Sequence, residues 1–483
     1  MSPVVERFWT ALAGHRGPAL DDGTQRLDYA QLRAAVARRV AQLRSLGAER
    51  VALAGDNGLD WALWDLALLA AGKVCVPLPG FFSPAQQQHV LDDAGVDCLV
   101  GEPGPLAAAC GFAASAPGLW RRQPAHPAAL PAGTCKITYT SGTTGRPKGV
   151  CLDAEAQLTV ADSLWQAIGG LGVERHLAVL PLATLLENVG GLYAPLLGGA
   201  CSHLPSLAEV GLRGASGLDL PALLACLARH RPHSLILLPQ LLQAVVGAAE
   251  RGAALPDSLR FVAVGGAHVS PGLLARAEAL GLPVYEGYGL SECASVVCLN
   301  TPRARRLGTV GRPLPHVEVR LAEDGEVLLR GTRLLGYLGE PPPCGPWLPS
   351  GDLGAWEDGF LTLRGRKKHQ FVTAYGRNVN PEWVEAELVA QPAIAQAWLY
   401  GEALPANVAV LVPRDPTCAD AALEQAVQAA NRGLPDYARA HHWLRAGQPF
   451  CTANGLATAN GRLRRAALTE RYLSAIEALA ADH

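Results

Sequence analysis

The stretch ITYTSGTTGRPKGV (137–150) sets a short β-prone run, Ile137 to Tyr139, directly before a loop of hydroxyls and glycines that ends on a lysine. Gly142 and Gly145 let the backbone turn its N–H groups toward an anion. The hydroxyls of Thr140, Ser141, Thr143 and Thr144 donate further bonds, and Lys148 adds a point charge. The segment is therefore suited to a phosphate. It is not the P-loop of nucleoside triphosphatases: with GxxxxGK[ST] aligned on Lys148, Pro147 stands where glycine is needed and Gly149 where Ser or Thr is needed. By itself the loop also fits an ordinary flexible turn.

Outward from the loop, the same grammar repeats on both sides. Tyr29, Leu32, Val36, Val40, Leu43 and Leu46 recur at steps of three and four, which predicts an amphipathic helix over 28–46, capped by Asp28 with Gln31 and ended by Gly47. Apolar runs at 51–54, 74–78 and 97–100 precede the loop, with a Ser83-Pro84 helix start among them. LAVLPL (177–182), HSLILLP (233–239), FVAV (261–264) and PVYEGYG (283–289) follow it. Short strands alternating with helices predict mainly parallel sheets covered on both faces, with ligands beyond the carboxyl ends of the strands. From about 303 the runs become short and turn-punctuated, as in VEVRLAEDGEVLLRG, the pattern of an antiparallel, barrel-like piece. After the Pro-rich EPPPCGPWLP (340–349), the last part of the chain reads as a small α+β unit with helices near 381–390 and 420–432.

Bulk composition narrows the function. The 483 residues exceed one ordinary core, and 49% hydrophobic with 17% charged residues describes a soluble globular chain. A net charge of −2 offers no basic face for nucleic acid. The start lacks the pattern of a secretory signal, and no apolar stretch approaches the ~20 residues of a membrane span, so a cytoplasmic location is expected. Twelve cysteines without CxxC pairs, Cys293 and Cys298 being the nearest neighbours, are expected to be packed thiols. Lysine is avoided: five lysines stand against 36 arginines.

Four further segments give the loop a context. VGGAHVS (264–270), EGYGLSEC (286–293), PSGDLG (349–354) and LRGRKKHQF (363–371) follow in order, and with TSGTTGRPKG they resemble the signatures of the adenylate-forming superfamily, which includes acyl-CoA synthetases, luciferases and the adenylation domains of peptide synthetases. The resemblance spans nearly the whole chain. It implies a large ATP- and acyl-binding domain over 1–366, made of two α/β subdomains and the barrel-like piece, and a small mobile lid domain over 367–483.

By the same resemblance, Gly265, Gly266 and Ala267 form the turn beside the adenine, and Tyr288 with Gly289 offers it a stacking face. Ser291 donates to the α-phosphate, Glu292 holds Mg²⁺, Asp352 accepts from the ribose hydroxyls, Arg366 reaches ribose or phosphate, and Lys368 is the hinge between half-reactions. His369 departs from the acidic residue common at that position. LPLATLLENVGG (180–191) is similar to the acyl-site stretch of long-chain fatty acyl-CoA synthetases and assigns Thr184, Glu187, Asn188 and Gly191 to the substrate pocket. Thr184 replaces a common histidine and removes a titratable ring. In TANGLATANGRLRR (452–465) the family's adenylation lysine falls on Arg462, and no lysine follows Lys368. Two readings stay open: a working guanidinium, or weakened adenylation.

No Phe-Asp pair opens the acyl stretch, which argues against an amino-acid substrate. No tryptophan follows Glu292, which leaves room for more than acetate. The apolar segments GGLYAPLLGG (190–199), PQLLQAVV (239–246) and SVVC (295–298) suit a medium- or long-chain fatty acid first and an aryl acid second. The expected chemistry uses ATP and Mg²⁺ to form acyl-AMP and then CoA as the thiol. An acyl carrier protein is the alternative acceptor, and a non-catalytic nucleotide or acyl-adenylate binder the alternative from another class.

Overall fold

The computed structural model describes residues 2–102, 104–124, 127–140, 147–214, 217–458 and 461–481. Two large sheets form the body of the chain. In the first, the parallel strands Val74–Leu78, Arg50–Ala54 and Cys98–Val100 lie side by side. Lys136–Thr140 adds in parallel beside Val74–Leu78, and Lys148–Leu152 and Gly336–Tyr337 follow it antiparallel. In the second, Val284–Leu290, Phe261–Val264, Ser234–Leu237, Arg175–Leu177, Cys201–His203 and Pro18–Asp21 run parallel in that spatial order, with antiparallel strands at both edges. This is the predicted α/β architecture. The antiparallel sheet of Val317–Leu321, Glu326–Gly331, Leu348–Glu357 and Phe360–Arg366 is the turn-punctuated piece. A smaller unit follows, with Ile394–Tyr400, Asn407–Pro413 and Ala440–Arg445 under the helices Pro381–Val389 and Asp420–Asn431.

Local chemistry sets the element ends. Helix Tyr29–Leu46 begins at a reciprocal capping box between Asp28 and Gln31 and ends on Gly47 at φ 59°, as its sequence predicts. Ser83 and Gln86 make the same box at Pro84–Asp93. The run 177–182 differs from expectation, since its strand stops at Leu177. The backbone beyond finds side-chain partners instead of a neighbouring strand. Asn57 donates to Leu180 O at 2.9 Å and accepts from Leu182 N at 2.7 Å, while Glu187 accepts from Leu180 N at 3.0 Å.

The first sheet is locked from inside by a buried charge network. Lys136, at the start of its strand, is 1% exposed and donates to Asp65 at 2.8 Å, to Tyr193 at 3.0 Å and to Asn188. Asp65 also accepts from Tyr193 at 2.5 Å and from Asn188 at 3.0 Å. Every member has a partner, the condition under which a buried ion pair is tolerated. The network joins the phosphate-loop stem to the segment Asn188–Tyr193, a π-helical turn.

Candidate functional site

The stem of the predicted phosphate loop is an antiparallel hairpin that pairs Thr140 with Lys148 and Tyr139 with Gly149. A Cβ on Gly149 would stand 2.9 Å from Ile137 and 3.1 Å from the Tyr139 ring, so close packing of the hairpin requires glycine there. His89 Nε2 lies 3.0 Å from Pro147 O, and Tyr139 donates to Asp93 at 2.7 Å, pinning the base. Ser141, Gly142, Thr143, Thr144 and Gly145 lie outside the described residues. Lys148 Nζ rests 2.9 Å from Glu340 and 5.5 Å from the Tyr337 ring centroid.

Tyr337 joins this hairpin to the next motif, because it pairs with Val150 in the sheet and its hydroxyl donates to Glu292 at 2.9 Å. The sequence reading missed Tyr337. Its only local signal is an aromatic between glycines in GYLG (336–339). Glu292 sits on a short 3₁₀ turn after strand Val284–Leu290, followed by Ala294 at φ 54° and Ser295 at φ 111°. Two consecutive non-glycine residues with positive φ mark a strained corner. Gly289 makes it possible, since a Cβ there would lie 1.9 Å from Ser295 O.

Tyr288, 9% exposed on the same strand, donates to Asp352 at 2.5 Å, and Arg366 Nε donates to the other carboxylate oxygen at 2.8 Å. Strand register makes this triad: Asp352 lies opposite Arg366 in the antiparallel ladder. Burial raises the Asp352 carboxyl above its ordinary value, against the pull of Arg366 and the Tyr288 bond. The turn Gly265–Gly266–Ala267 closes on the same strand, where a Cβ on Gly265 would meet Gly287 O at 2.8 Å; Gly266 has φ +82°.

The small C-terminal unit faces this triad. Arg462 sits at the mouth of a tight turn in which Thr458 N donates to Arg462 O at 2.8 Å and Arg462 N to Thr458 Oγ1 at 3.0 Å. Arg462 retains solvent exposure yet lies in Coulomb reach of Arg366, Glu382, Glu292 and Asp352. Desolvation, then the Arg366 charge, lowers its pKa, although a guanidinium stays protonated at neutral pH. The Lys368 ammonium is lowered by partial burial and by Arg366 and Arg462. His369, the departure in the sequence, donates Nδ1–H to Glu382 at 2.6 Å, and Glu382 Oε2 accepts from Arg366 N at 3.2 Å. Burial opposes ionisation of Glu382, but the bond from His369 and the charge of Arg465 hold it at about 2. Helix Pro381–Val389 docks on the large body through Ser270 to Glu387 at 3.0 Å and Gln243 to Val389 O at 2.7 Å.

The acyl-site stretch departs from expectation. Thr184 is half-buried, with its hydroxyl folded onto Pro181 O at 2.7 Å. Glu187 is fully buried between His176 Nε2 at 2.9 Å and Leu180 N, while Asn188 belongs to the Lys136 network. A Cβ on Gly191 would fall 2.0 Å from Glu187 Oε1, so this glycine admits the carboxylate. These three are supports inside the body, where the sequence reading has them as pocket residues. A carboxylate and an amide with such partners satisfy backbone and charge in the core. Ser234 and His176, 3.0 Å apart beyond Glu187, resemble a relay, but all three side chains are buried.

The profile of AMP-binding enzymes matches residues 8–338, and that of the AMP-binding enzyme C-terminal domain matches residues 368–483. The chain belongs to the AMP-binding enzyme family. This AMP-binding enzyme is 30% identical to a long-chain-fatty-acid–CoA ligase of Mycobacterium bovis, over 80% of its own length and 76% of the relative's. It is 31% identical to a feruloyl-CoA synthase of an Amycolatopsis species, over 82% and 86%. Among solved structures it is similar to an anthranilate–CoA ligase in complex with anthranoyl-AMP, with a TM-score of 0.81, 21% identity and 98% of both chains covered. It is also similar to the O-succinylbenzoate–CoA synthetase of Bacillus subtilis with AMP, with a TM-score of 0.74, 22% identity, and 95% and 97% covered. These last two likenesses concern the fold. No helix among the described residues is long and apolar enough to cross a membrane.

Proposed function

We propose that this AMP-binding enzyme activates a medium- or long-chain fatty acid as acyl-AMP and passes the acyl group to CoA. The coarser reaction is that of its family: it is an AMP-forming acid–thiol ligase that uses ATP, Mg²⁺ and CoA. The observation that supports the site assignment is that Tyr288, Glu292, Asp352, Arg366 and Arg462, from four segments of the chain, lie within hydrogen-bond or Coulomb reach of one another.

In this reading Asp352 accepts from the ribose hydroxyls while Tyr288 and Arg366 hold its carboxylate in place. Tyr288 presents its ring to adenine. Lys148, now paired with Glu340, supplies its point charge to the β- and γ-phosphates. The Glu292 carboxylate, fixed by Tyr337, is a hard oxygen donor that fits Mg²⁺, and the ion supplies neutralisation of phosphate charge when bound. Arg462 faces the acid's carboxylate and the α-phosphate and steadies the charge that develops as they join. The attacking oxygen forms a bond to the α-phosphorus as the bond to pyrophosphate breaks; the CoA thiolate then attacks the acyl carbon and AMP leaves. Lys368 is the pivot between these steps.

The apolar runs around the acyl stretch and the relative named long-chain-fatty-acid–CoA ligase support a fatty acid. The relative named feruloyl-CoA synthase supports an aryl acid as the second reading. The test is acid-dependent exchange of labelled pyrophosphate into ATP across fatty, aryl and amino acids, followed by thioester assays with CoA and with a phosphopantetheinylated carrier protein. Exchange with fatty acids and thioester formation on CoA are expected. Exchange with aryl acids alone overturns the substrate assignment, transfer only to the carrier overturns the acceptor, and no exchange with any acid makes the chain a binder.

A further inference from the structure

Away from the nucleotide cleft, the end of helix Leu220–His230 meets strand Cys201–His203 and the turn that carries Glu209. Cys226 and His230 lie four residues apart, so both project from one face of the helix. Glu209, Cys226 and His230 bring one carboxylate oxygen, one sulfur and one ring nitrogen within 4.8 Å of one another. His230 Nε2 stands 3.6 Å from Glu209 Oε1, which is too long for a hydrogen bond. That gap instead suits two ligands of one tetrahedral ion, because bonds of about 2.0–2.2 Å put neighbouring donors roughly 3.3–3.6 Å apart.

An independent observation also points to a ligand. The Nε2 atoms of His203 and His230 are both buried without a hydrogen-bond partner among the described residues, and the two side chains are only 8% and 6% exposed. Buried ring nitrogens are ordinarily satisfied. The two Nδ1 atoms lie 3.3 Å apart, and in the tautomer in which His230 Nδ1–H donates to His203, His230 Nε2 carries the lone pair that a metal requires. Cys226 is 3% exposed, whereas Glu209 keeps 29% side-chain exposure, enough for a water to complete the coordination. The nearby Arg229 donates to the same carboxylate at 2.6 Å and fixes its position.

We propose that Glu209, Cys226 and His230 bind one Zn²⁺ ion, with His203 orienting His230 from behind. The mixed sulfur, nitrogen and oxygen set fits Zn²⁺ and is too soft for Mg²⁺. The ion ties the Glu209 turn to the helix end. It is a structural staple separate from the Glu292 site.

The test uses the full chain, stripped with chelator, loaded with Zn²⁺, desalted and assayed for metal by mass spectrometry. One zinc per chain is expected, together with a higher Tm. Cys226→Ser and His230→Ala should each lose at least tenfold in zinc affinity and lose the Tm increase, while Cys344→Ser, which changes an exposed thiol elsewhere, should keep both. Co²⁺ substitution should give tetrahedral visible bands with a thiolate charge-transfer band that Cys226→Ser abolishes. No retained zinc in the wild type, or retention unchanged in Cys226→Ser and His230→Ala, overturns the site. Should either variant fail to fold by circular dichroism, wild-type Co²⁺ spectra without thiolate charge transfer overturn it equally.

Discussion

Asp352 and Arg462 lie in Coulomb reach of each other, one in the large body and one in the small C-terminal unit, and they are held in different ways. Asp352 is 6% exposed, lies in register with Arg366 in a ladder and accepts from two side chains before any substrate arrives. Arg462 belongs to a solvent-exposed turn fixed by Thr458, with its charge in Coulomb reach of Arg366, Glu292 and Asp352. The first side is preorganised by strands. The second depends on a separate small unit docked through a few side chains such as Ser270–Glu387. In the proposed reading, binding precision resides in the large body and adjustable chemistry in the small one.

The largest expected effect tests the preorganised side. Asp352→Ala removes the proposed ribose acceptor together with the anchor of Tyr288 and Arg366, so kcat/KM for ATP in pyrophosphate exchange should fall about a thousandfold. On the other side, Arg462→Ala should cost about a hundredfold in exchange rate, while Arg462→Lys should stay within about tenfold of the wild type. An equal loss in Asp352→Ala and Arg462→Ala would erase the contrast between the two sides. Lys368→Ala should slow thioester formation from supplied acyl-AMP about tenfold more than it slows exchange. Matched losses in both half-reactions would remove its pivot role.

The smallest effects are opposite pH slopes. Glu286, two residues before Tyr288, is 6% exposed, and burial raises its carboxyl to about 8. A group that holds its proton more tightly when folded costs stability as pH rises from about 4.5, its unfolded value, toward about 8; Glu286→Gln should flatten that decline. Glu382, held at about 2, contributes stability that is present above about 4.5 and is lost as pH falls toward about 2. Glu382→Gln should remove that acid-side loss. Urea unfolding over a pH series checks both, and parallel slopes in the two variants would contradict the assignment.

Much of the fold was legible because its signals are local. The capping box at Asp28, the glycine after Leu46, and the apolar runs at Arg50–Ala54, Val74–Leu78 and Phe261–Val264 each declare an element within a few residues. The strand expected over 177–182 stops at Leu177 because the backbone partners beyond it, Asn57 and Glu187, come from outside the run. The candidate site was legible in the same uneven way. Tyr288, Glu292, Asp352 and Arg366 stand in compact motifs, whereas Tyr337 and Glu382 owe their place in the cleft to pairing with Val150 and to a bond with His369.

By itself, the sequence determined the alternating α/β order, the phosphate-suited loop and the identities of the residues in the nucleotide motifs, because strand period, glycine freedom and charge are properties of neighbouring residues. Only the tertiary structure decided that Glu187, Asn188 and Gly191 are interior supports, that Lys136 is a buried ion-pair partner, and that His203, His230, Cys226 and Glu209 share one corner. Whether a polar side chain faces water, a substrate or the core depends on what packs against it, and those neighbours come from distant parts of the chain.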